Sequence, residues 1–542
     1  MPAKASPLAP FRHANYRILW TATLASNLGG LIQSVGAGWM MTTITDSYDM
    51  VALVQASTTL PVMIFSLAAG ALADNFDKRS IMLTAQILMA MISAVLAICT
   101  LQGLMTPWLL LMFTFLIGCG GALHNPSWQA SMGDIVPRDD LPSAVALNSM
   151  GFNLMRSVGP AIGGLIVAVS GAASAFILNT LSYIPLSIAL ARWKPARAPR
   201  TLPRERLGSA MSSGLRYVAM SPSLLRVIGR GFIFGIAAIS ILALLPLVAR
   251  DLVAGGALTY GIMLGCFGFG AIGGALINAR LREYWTNEVV VRVAFAGFAL
   301  SVIALAFSRE IWISCLALLP AGACWVLALS LFNVTVQLST PRWVVGRALS
   351  LYQTATFGGM AAGSWIWGLV ADSHGSDMAL LASGGVLLAG MLVGFLAPLP
   401  EFNALNLDPL DQFREPELRL ELRLHSGPIM VMVDYEIAQK DIPAFLRVMA
   451  DRRRIRLRDG ARQWVLLRDL ENPDIWIESY HVPTWVEYIR HNMRRTQADA
   501  EVAARLLALH RGEGRPRVHR MIERQTVPLL DDTPLKNHAE IP

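Results

Sequence analysis

Charge is distributed so unevenly along this chain that most fold classes are excluded at once. The first 400 of the 542 residues carry 37 charged side chains, while the last 142 carry 45. Ordinary soluble domains are about one quarter charged. The first region is therefore too poor in charge to be a soluble domain, and it is long enough to cross a bilayer many times. The final region has a soluble composition. The net charge of +8 divides into +9 on the apolar region and −1 on the rest. Its basic character follows membrane topology, so no nucleic acid partner is expected. The five cysteines, Cys99, Cys119, Cys266, Cys315 and Cys324, lie in apolar runs without CxxC or Cys/His ligand spacing. They read as small buried residues with neither disulfide nor metal.

A spanning helix needs about 20 apolar residues, because the hydrocarbon core is about 30 Å thick. Twelve such runs are expected: 16–42, 50–73, 80–102, 107–132, 144–170, 172–191, 222–249, 257–280, 289–308, 311–336, 346–371 and 377–397. The first run is full-width and reads as a retained span rather than a signal peptide. With both termini inside, seventeen Lys and Arg fall in inside segments. Arg250 and Arg309 are the ones in outside loops. That bias predicts cytoplasmic termini and an even number of spans.

The two halves of the apolar region repeat at an offset of 204 residues. Gly70-Ala71-Leu72 matches Gly274-Ala275-Leu276, and Pro137-Arg138 matches Pro341-Arg342. Gly159 matches Gly363, Gly164-Leu165 matches Gly368-Leu369, and Gly171 matches Gly375. Several pairs at one offset imply two parallel six-helix bundles. The expected boundaries are 1–191 and 222–400, with a basic cytoplasmic linker at 192–221. Such pseudo-symmetry suits alternating access, in which two bundles rock about a site between them.

Between the second and third runs lies Gly70-Ala71-Leu72-Ala73-Asp74-Asn75-Phe76-Asp77-Lys78-Arg79. Small residues permit close helix approach, and an acid then precedes two bases in a tight turn. This segment resembles the signature loop of the major facilitator superfamily. Gly70, Leu72, Asp74, Lys78 and Arg79 keep the pattern. Asn75 and Asp77 depart from it, and the twin has Asn278 where Asp74 stands. The resemblance implies that Asp74 helps to lock a conformation across the two halves, with Arg347 as the expected partner. The fifth run carries Gly159-Pro160-Ala161-Ile162-Gly163-Gly164, which resembles the antiporter motif of exporters in that superfamily. Proline kinks a helix, and glycines allow close contact at the bend. Met155 stands where that motif usually has glycine.

Arg156 is about 20 Å into its span at 1.5 Å per residue. A cation at that depth faces a cavity or a partner, serving either an anionic solute or backbone carbonyls. Asn27, Gln33, His124, Asn125, Asn148 and Asn153 are its candidate neighbours, and Asn333, Gln337 and Gln353 are candidates for the opposite wall. His124 is a candidate proton carrier or a simple hydrogen-bonding residue. The run from Asn27-Leu28-Gly29 through Asn125-Pro126-Ser127-Trp128-Gln129 and Asn153-x-x-Arg156 to Gly346-Arg347-Ala348-Leu349-Ser350-Leu351-Tyr352-Gln353 is similar to one branch. That branch comprises enterobactin exporter-like and macrolide-efflux-like proteins, also termed transmembrane secretion effectors. The resemblance implies efflux of a bulky organic solute, usually by proton antiport. No Gly-rich phosphate loop with a lysine occurs, so neither ATP nor another cofactor is expected.

Residues 401–427 read as a charged linker, 428–525 as a cytoplasmic domain and 526–542 as a disordered end. The domain reads as strand Pro428–Ile437, helix Asp441–Ile455, strands Gln463–Asp469 and Asp474–His481, one long helix Pro483–His510 and strand Arg515–Arg524. This βαββαβ order predicts a ferredoxin-like α+β fold, similar to small monooxygenase and stress-response domains that dimerise. Self-association through it is a further expectation. Trp464, Trp476, Tyr480, His481 and Trp485 are expected as core or pocket aromatics. Arg452, Arg453, Arg454 and Arg456 are expected on a solvated or lipid-facing helix surface. The chain as a whole reads as an all-α membrane transporter plus this small domain, exporting a small organic molecule across a bacterial inner membrane, and not as an enzyme. Import, or a catalytic or ligand-sensing end domain, is the alternative.

Overall fold

The computed structural model describes residues 8–137, 140–194, 207–341, 343–400, 406–410 and 412–523, with no side chain described at 70–75, 142, 207, 209–210 and 279. The chain divides into two compact units. The first comprises Met1–Leu207, Ser223–Val336 and Leu349–Glu401. The second comprises Gly208–Pro222, Gln337–Ala348 and Phe402–Pro542.

The first unit is helical. Its first half holds α1 (Ala14–Ile44), α2 (Tyr48–Asn75), α3 (Lys78–Leu101), α4 (Pro107–Ile135) and α5 (Leu141–Arg192). After α6 (Leu207–Ala219), the second half holds α7 (Pro222–Leu247), α8 (Ala257–Tyr284), α9 (Asn287–Phe307), α10 (Ile311–Leu338), α11 (Val345–His374) and α12 (Ser376–Leu396). Among the described residues nine helices are long and apolar enough to cross a membrane. The expectation was twelve. α1 and α11 are 31 and 30 residues long but are not among the nine. α5 runs through two expected spans, and its 52 residues break at Gly171, where φ is +79°. The repeat twin Gly375 has φ +90° and precedes α12. Both positions need a left-handed backbone, which glycine adopts without a Cβ clash.

These helices are packed for lipid rather than water. On α12 the buried residues include Ser376, Ala379, Ser383, Gly384, Gly390 and Gly394. Leu388, Leu392, Phe395 and Leu396 are exposed. Small side chains, with Leu380 and Leu387 between them, bring backbones together where the solvent is as apolar as leucine, and most of the large ones face outward.

The second unit is an α+β domain with two additional segments, α6 and residues 337–348. Its elements are β1 (Ile429–Glu436), α13 (Ile442–Asp459), β2 (Arg462–Arg468), β3 (Ile475–Val482), α14 (Trp485–Met493), α15 (Gln497–Leu509) and β4 (Arg517–Ile522). The sheet order is β2-β3-β1-β4, antiparallel throughout, as a ferredoxin-like chain requires. β1 alternates buried and half-buried residues. Ile429, Val431 and Val433 meet Phe445 and Met449 of α13 and Val502 and Leu506 of α15 in one core. The single long helix expected at 483–510 is two helices. Thr496 starts α15 with a capping box closed by Asp499, and that local hydrogen bonding ends α14 before it.

Candidate functional site

The glycines of the fifth run sit at two helix crossings. A Cβ on Gly159 would lie 3.0 Å from Leu31 Cβ, and one on Gly163 3.0 Å from Ile32 Cα, both against α1. Gly164 faces the other half: its Cβ would meet Ala257 O and Gly261 Cα at 2.8 Å. Gly268 of α8 likewise crosses Ser157 and Arg156 of α5. Pro160 is buried beside Gly159, and its carbonyl would meet a Cβ on Gly261 at 2.7 Å. The repeat supplies a second joint. A Cβ on Gly368, the twin of Gly164, would lie 2.9 Å from Asp49 Cα and Ala52 Cβ of α2. Ser66 Oγ lies 2.7 Å from Thr354 Oγ1 on the same α2–α11 seam. The two halves thus meet through α5–α8 and α2–α11, which the 204-residue offset interconverts.

The signature loop is built from local bonds. Asp77 caps α3, accepting from Arg79 N at 3.3 Å and Ser80 Oγ at 2.9 Å. Lys78 Nζ donates to Asp134 Oδ2 at 2.8 Å and to Ala130 O at 2.9 Å. Arg79 donates to the carbonyls of Leu190 and Ala191 at the end of α5, where a cation suits the free carbonyls. Gly70 and Asp74 lie on α2, and their side chains fall outside the described residues. Asn278, the twin of Asp74, donates to Ser330 Oγ of α10 at 3.0 Å. Arg347 belongs to the second unit and donates to Ser213 Oγ of α6 at 3.2 Å.

Arg156 is half-buried, with its guanidinium 5.9 Å from the ring centre of Trp325 on α10. A cation over an indole face is attracted by the ring quadrupole. Asn27, Asn153, Asn333 and Gln353 are also half-buried. Gln33 is buried, and its oxygen accepts from Ser93 Oγ at 2.9 Å and from Asn179, tying α1 to α3 and α5. His124 is buried, 3.4 Å from Gln86 Nε2 of α3. Asn125 is exposed, as is Gln337, which falls in the second unit.

One ionic cluster was missed from the sequence. Glu288 of α9 is buried and receives Arg230 Nη1 at 3.2 Å, Arg292 Nε at 3.0 Å and the Leu399 N–H at 2.9 Å. Arg230 is 2% exposed. It sits in an apolar helix 58 residues from its partner, so spacing gives no sign of it. The i,i+4 pair Glu288–Arg292 was the legible half.

In the second unit, Arg452 and Arg456 turn inward and only Arg453 and Arg454 are exposed. Glu478, fully buried, accepts from Arg456 Nε at 3.1 Å, Trp464 Nε1 at 3.1 Å and Tyr435 OH at 3.2 Å. Burial by itself raises the Glu478 carboxyl; Arg456, Arg452 and the Trp464 N–H outweigh it and hold it at about 2. Burial, then Arg456, keep His491 well below its ordinary value. Neutral His491 Nε2 accepts from Arg456 Nη1 at 3.0 Å. Of the five aromatics expected at a pocket, Tyr480 lines the cavity found here. Trp476 packs on Phe445, and Trp485 stacks on Tyr488.

The helical unit has the fold of solved membrane transporters. It resembles a bacterial homologue of the human lysosomal transporter Spinster (TM-score 0.57, 12% identity, covering 71% of this chain and 96% of that one). An auto-inhibited peptide transporter of the POT family is similar (TM-score 0.59, 13% identity, covering 74% and 99%). The chain belongs to the transmembrane secretion effector family, whose profile matches residues 5–526, and is a membrane transporter of the major facilitator type. Among curated relatives, the staphyloferrin A transporter of Staphylococcus aureus is 23% identical, over 64% of this chain and 87% of its own length. Macrolide efflux protein A of Streptococcus pyogenes is 22% identical, over 69% and 94%. The enterobactin exporter of Escherichia coli is 24% identical, over 70% and 91%. These relatives are nearly spanned by the match, which leaves about a third of this chain beyond it.

Proposed function

We propose that this protein is a twelve-span exporter that moves a bulky organic solute, siderophore-like or drug-like, out of a bacterial cytoplasm by alternating access. The observation that carries this reading is the pair of repeat-related glycine joints, α5–α8 and α2–α11. Close backbone approach with few interlocking side chains lets two bundles pivot. The names of the relatives support export and the class of solute. α1, α11 and the two arms of α5 supply the spans beyond those that are apolar throughout. Arg156, with Asn27, Asn153, Asn333 and Gln353, lines the solute path and favours an anionic group. Gly70, Asp74, Lys78 and Arg79 set the cytoplasmic gate, and proton antiport supplies the energy.

The test is net accumulation of macrolide, cationic dye and catecholate siderophore in an efflux-deficient bacterial host. Expression should lower the level of one solute, and a protonophore or Asp74→Asn should restore it. Raised accumulation would mean import and would sink the reading of the glycine motif. An effect indifferent to the protonophore would remove proton coupling.

A further inference from the structure

The α+β domain holds a cavity of about 830 Å³ between β1, α13, the α14–α15 corner, the start of β4 and residues 410 and 412–414. Among the described residues its wall carries six arginines, Arg414, Arg452, Arg456, Arg495, Arg515 and Arg520, and no carboxylate. Glu478, sealed behind the wall, accepts from Arg456 Nε at 3.1 Å. Arg452 is 8% exposed, and its Nε is 3.5 Å from Glu478 Oε2, without a hydrogen-bond partner among the described residues. Burial, then Arg452 and Arg456, lower the Arg495 guanidinium from its ordinary value, the mark of cations crowded together. Arg452 and Arg456 are buried and Arg495 is half-buried, and charge of one sign held that way is costly unless a counter-charge arrives.

The rest of the wall is mostly apolar, with Gln412 and Asn492 as its polar members. Tyr435, Tyr480 and Tyr488 present ring faces, and Val431, Val433 and Leu506 complete the floor. Arg456 lies 4.4 Å from the Tyr480 ring centre, and Arg520 Nε donates to Tyr488 OH at 2.6 Å, so two of the guanidinium groups are already oriented. Guanidinium groups match carboxylates with paired N–H donors. We propose that this cavity is a binding site for an organic anion, one or two carboxylates on an aromatic or apolar body. An inorganic ion would leave the tyrosine walls unfilled, and a neutral apolar molecule would leave the arginines uncompensated.

The mouth of the cavity also involves the segment that follows α12. Leu410 N donates to Arg495 O at 3.0 Å, and Gln497 N to Asp408 O at 3.0 Å. Leu410 and Phe413 line the cavity. A bound anion therefore rests against the chain that leads into the domain. The site stands apart from the reading of transport direction and would survive its failure.

The experiment is calorimetry on the full-length protein in nanodiscs of phosphatidylcholine, with 2-naphthoate as probe and 2-naphthamide as its neutral twin. Saturable binding of naphthoate is expected, with the amide weaker by about tenfold, as loss of one charge-assisted pairing implies. Arg495→Gln should weaken naphthoate by a similar factor, and the exposed Arg414→Gln, which leaves the core untouched, should weaken it several-fold. Hydrogen exchange should slow in α13 and at 488–495 when naphthoate binds. Absence of saturable binding overturns the proposal. So does equal binding of the amide, wild-type affinity in both arginine variants, or protection confined to α5.

Discussion

Two buried carboxylates in this molecule each lie beside a pair of arginines, and the surroundings give them different roles. Glu288 is filled: Arg230, Arg292 and the Leu399 N–H take its oxygens, and the arginines lie over Phe295 and Phe395 at 5.4 and 4.0 Å. It fastens α7, α9 and the exit from α12 together. Glu478 is also filled, but by Arg456, Trp464 and Tyr435, and Arg452 is left over beside a cavity. In a region poor in charge, an ion triad closes a joint. Both triads set two guanidinium groups against one carboxylate, but at Glu478 the surplus borders a cavity that four further arginines line, and that surplus is what a ligand can satisfy.

The largest test of this contrast is to remove each carboxylate. Glu478→Gln strands two buried guanidinium groups and should cost about 3–5 kcal/mol, read as faster hydrogen exchange through β1 and β3. Glu288→Gln leaves Arg292, which is partly exposed, free to turn toward water and should cost less, about 2–3 kcal/mol, read as a lower Tm in detergent. An equal loss would break the comparison. Next comes the joint between the halves. Gly164→Val drives a branched side chain into Gly261 and should cost about 1–3 kcal/mol, with solute accumulation rising to that of the host lacking the protein. Gly121→Ala, with nothing within 4 Å of the new Cβ, should leave both unchanged.

Acid sharpens the difference between the units. His491 is kept neutral in the fold, so below pH 6.5 the unfolded chain takes up a proton that the folded domain refuses. Stability of the domain should fall by at most about 1.4 kcal/mol per pH unit from there downward. Glu478 adds its own loss, beginning below its ordinary value near 4.5 and complete near 2. His491→Gln should flatten the slope between pH 6.5 and 4.5 and leave the lower limb, as followed by denaturant unfolding at stepped pH. The smallest effect is expected at Lys78→Ala. Its partner Asp134 is partly exposed, so about 0.2–1 kcal/mol is at stake, and a thermal shift within error of the parent is the expected reading.

The large divisions of the fold were legible because they are written in periodicity and composition. The break in charge near residue 400 separates the helical region from the domain. The offset of 204 pairs Gly171 with Gly375, and both need the left-handed backbone that glycine supplies. What escaped were choices settled by packing. A helical run from 483 to 510 is apolar enough to continue, and the Thr496–Asp499 box still divides it. Arg452 to Arg456 look like one solvated face, but positions 452 and 456 are one turn apart and share the inward side. Arg230 and Glu288 lie on different helices within apolar runs, where neither announces the other.

The repeat keeps the joints of the transporter and, beyond Arg138–Arg342 and Lys78–Arg282, few of its charges. Gly164 and Gly368 are twins, but Arg156 corresponds to Met360, Trp325 to Gly121, Arg230 to Ser26 and Glu288 to Thr84. The halves are therefore interchangeable as carpentry and distinct as chemistry. A chain reordered to begin with its second half would rebuild both hinges, since each half brings its own glycine edge. Arg156 over Trp325 would still stand on one side only, so the two halves would still present unlike surfaces to each other.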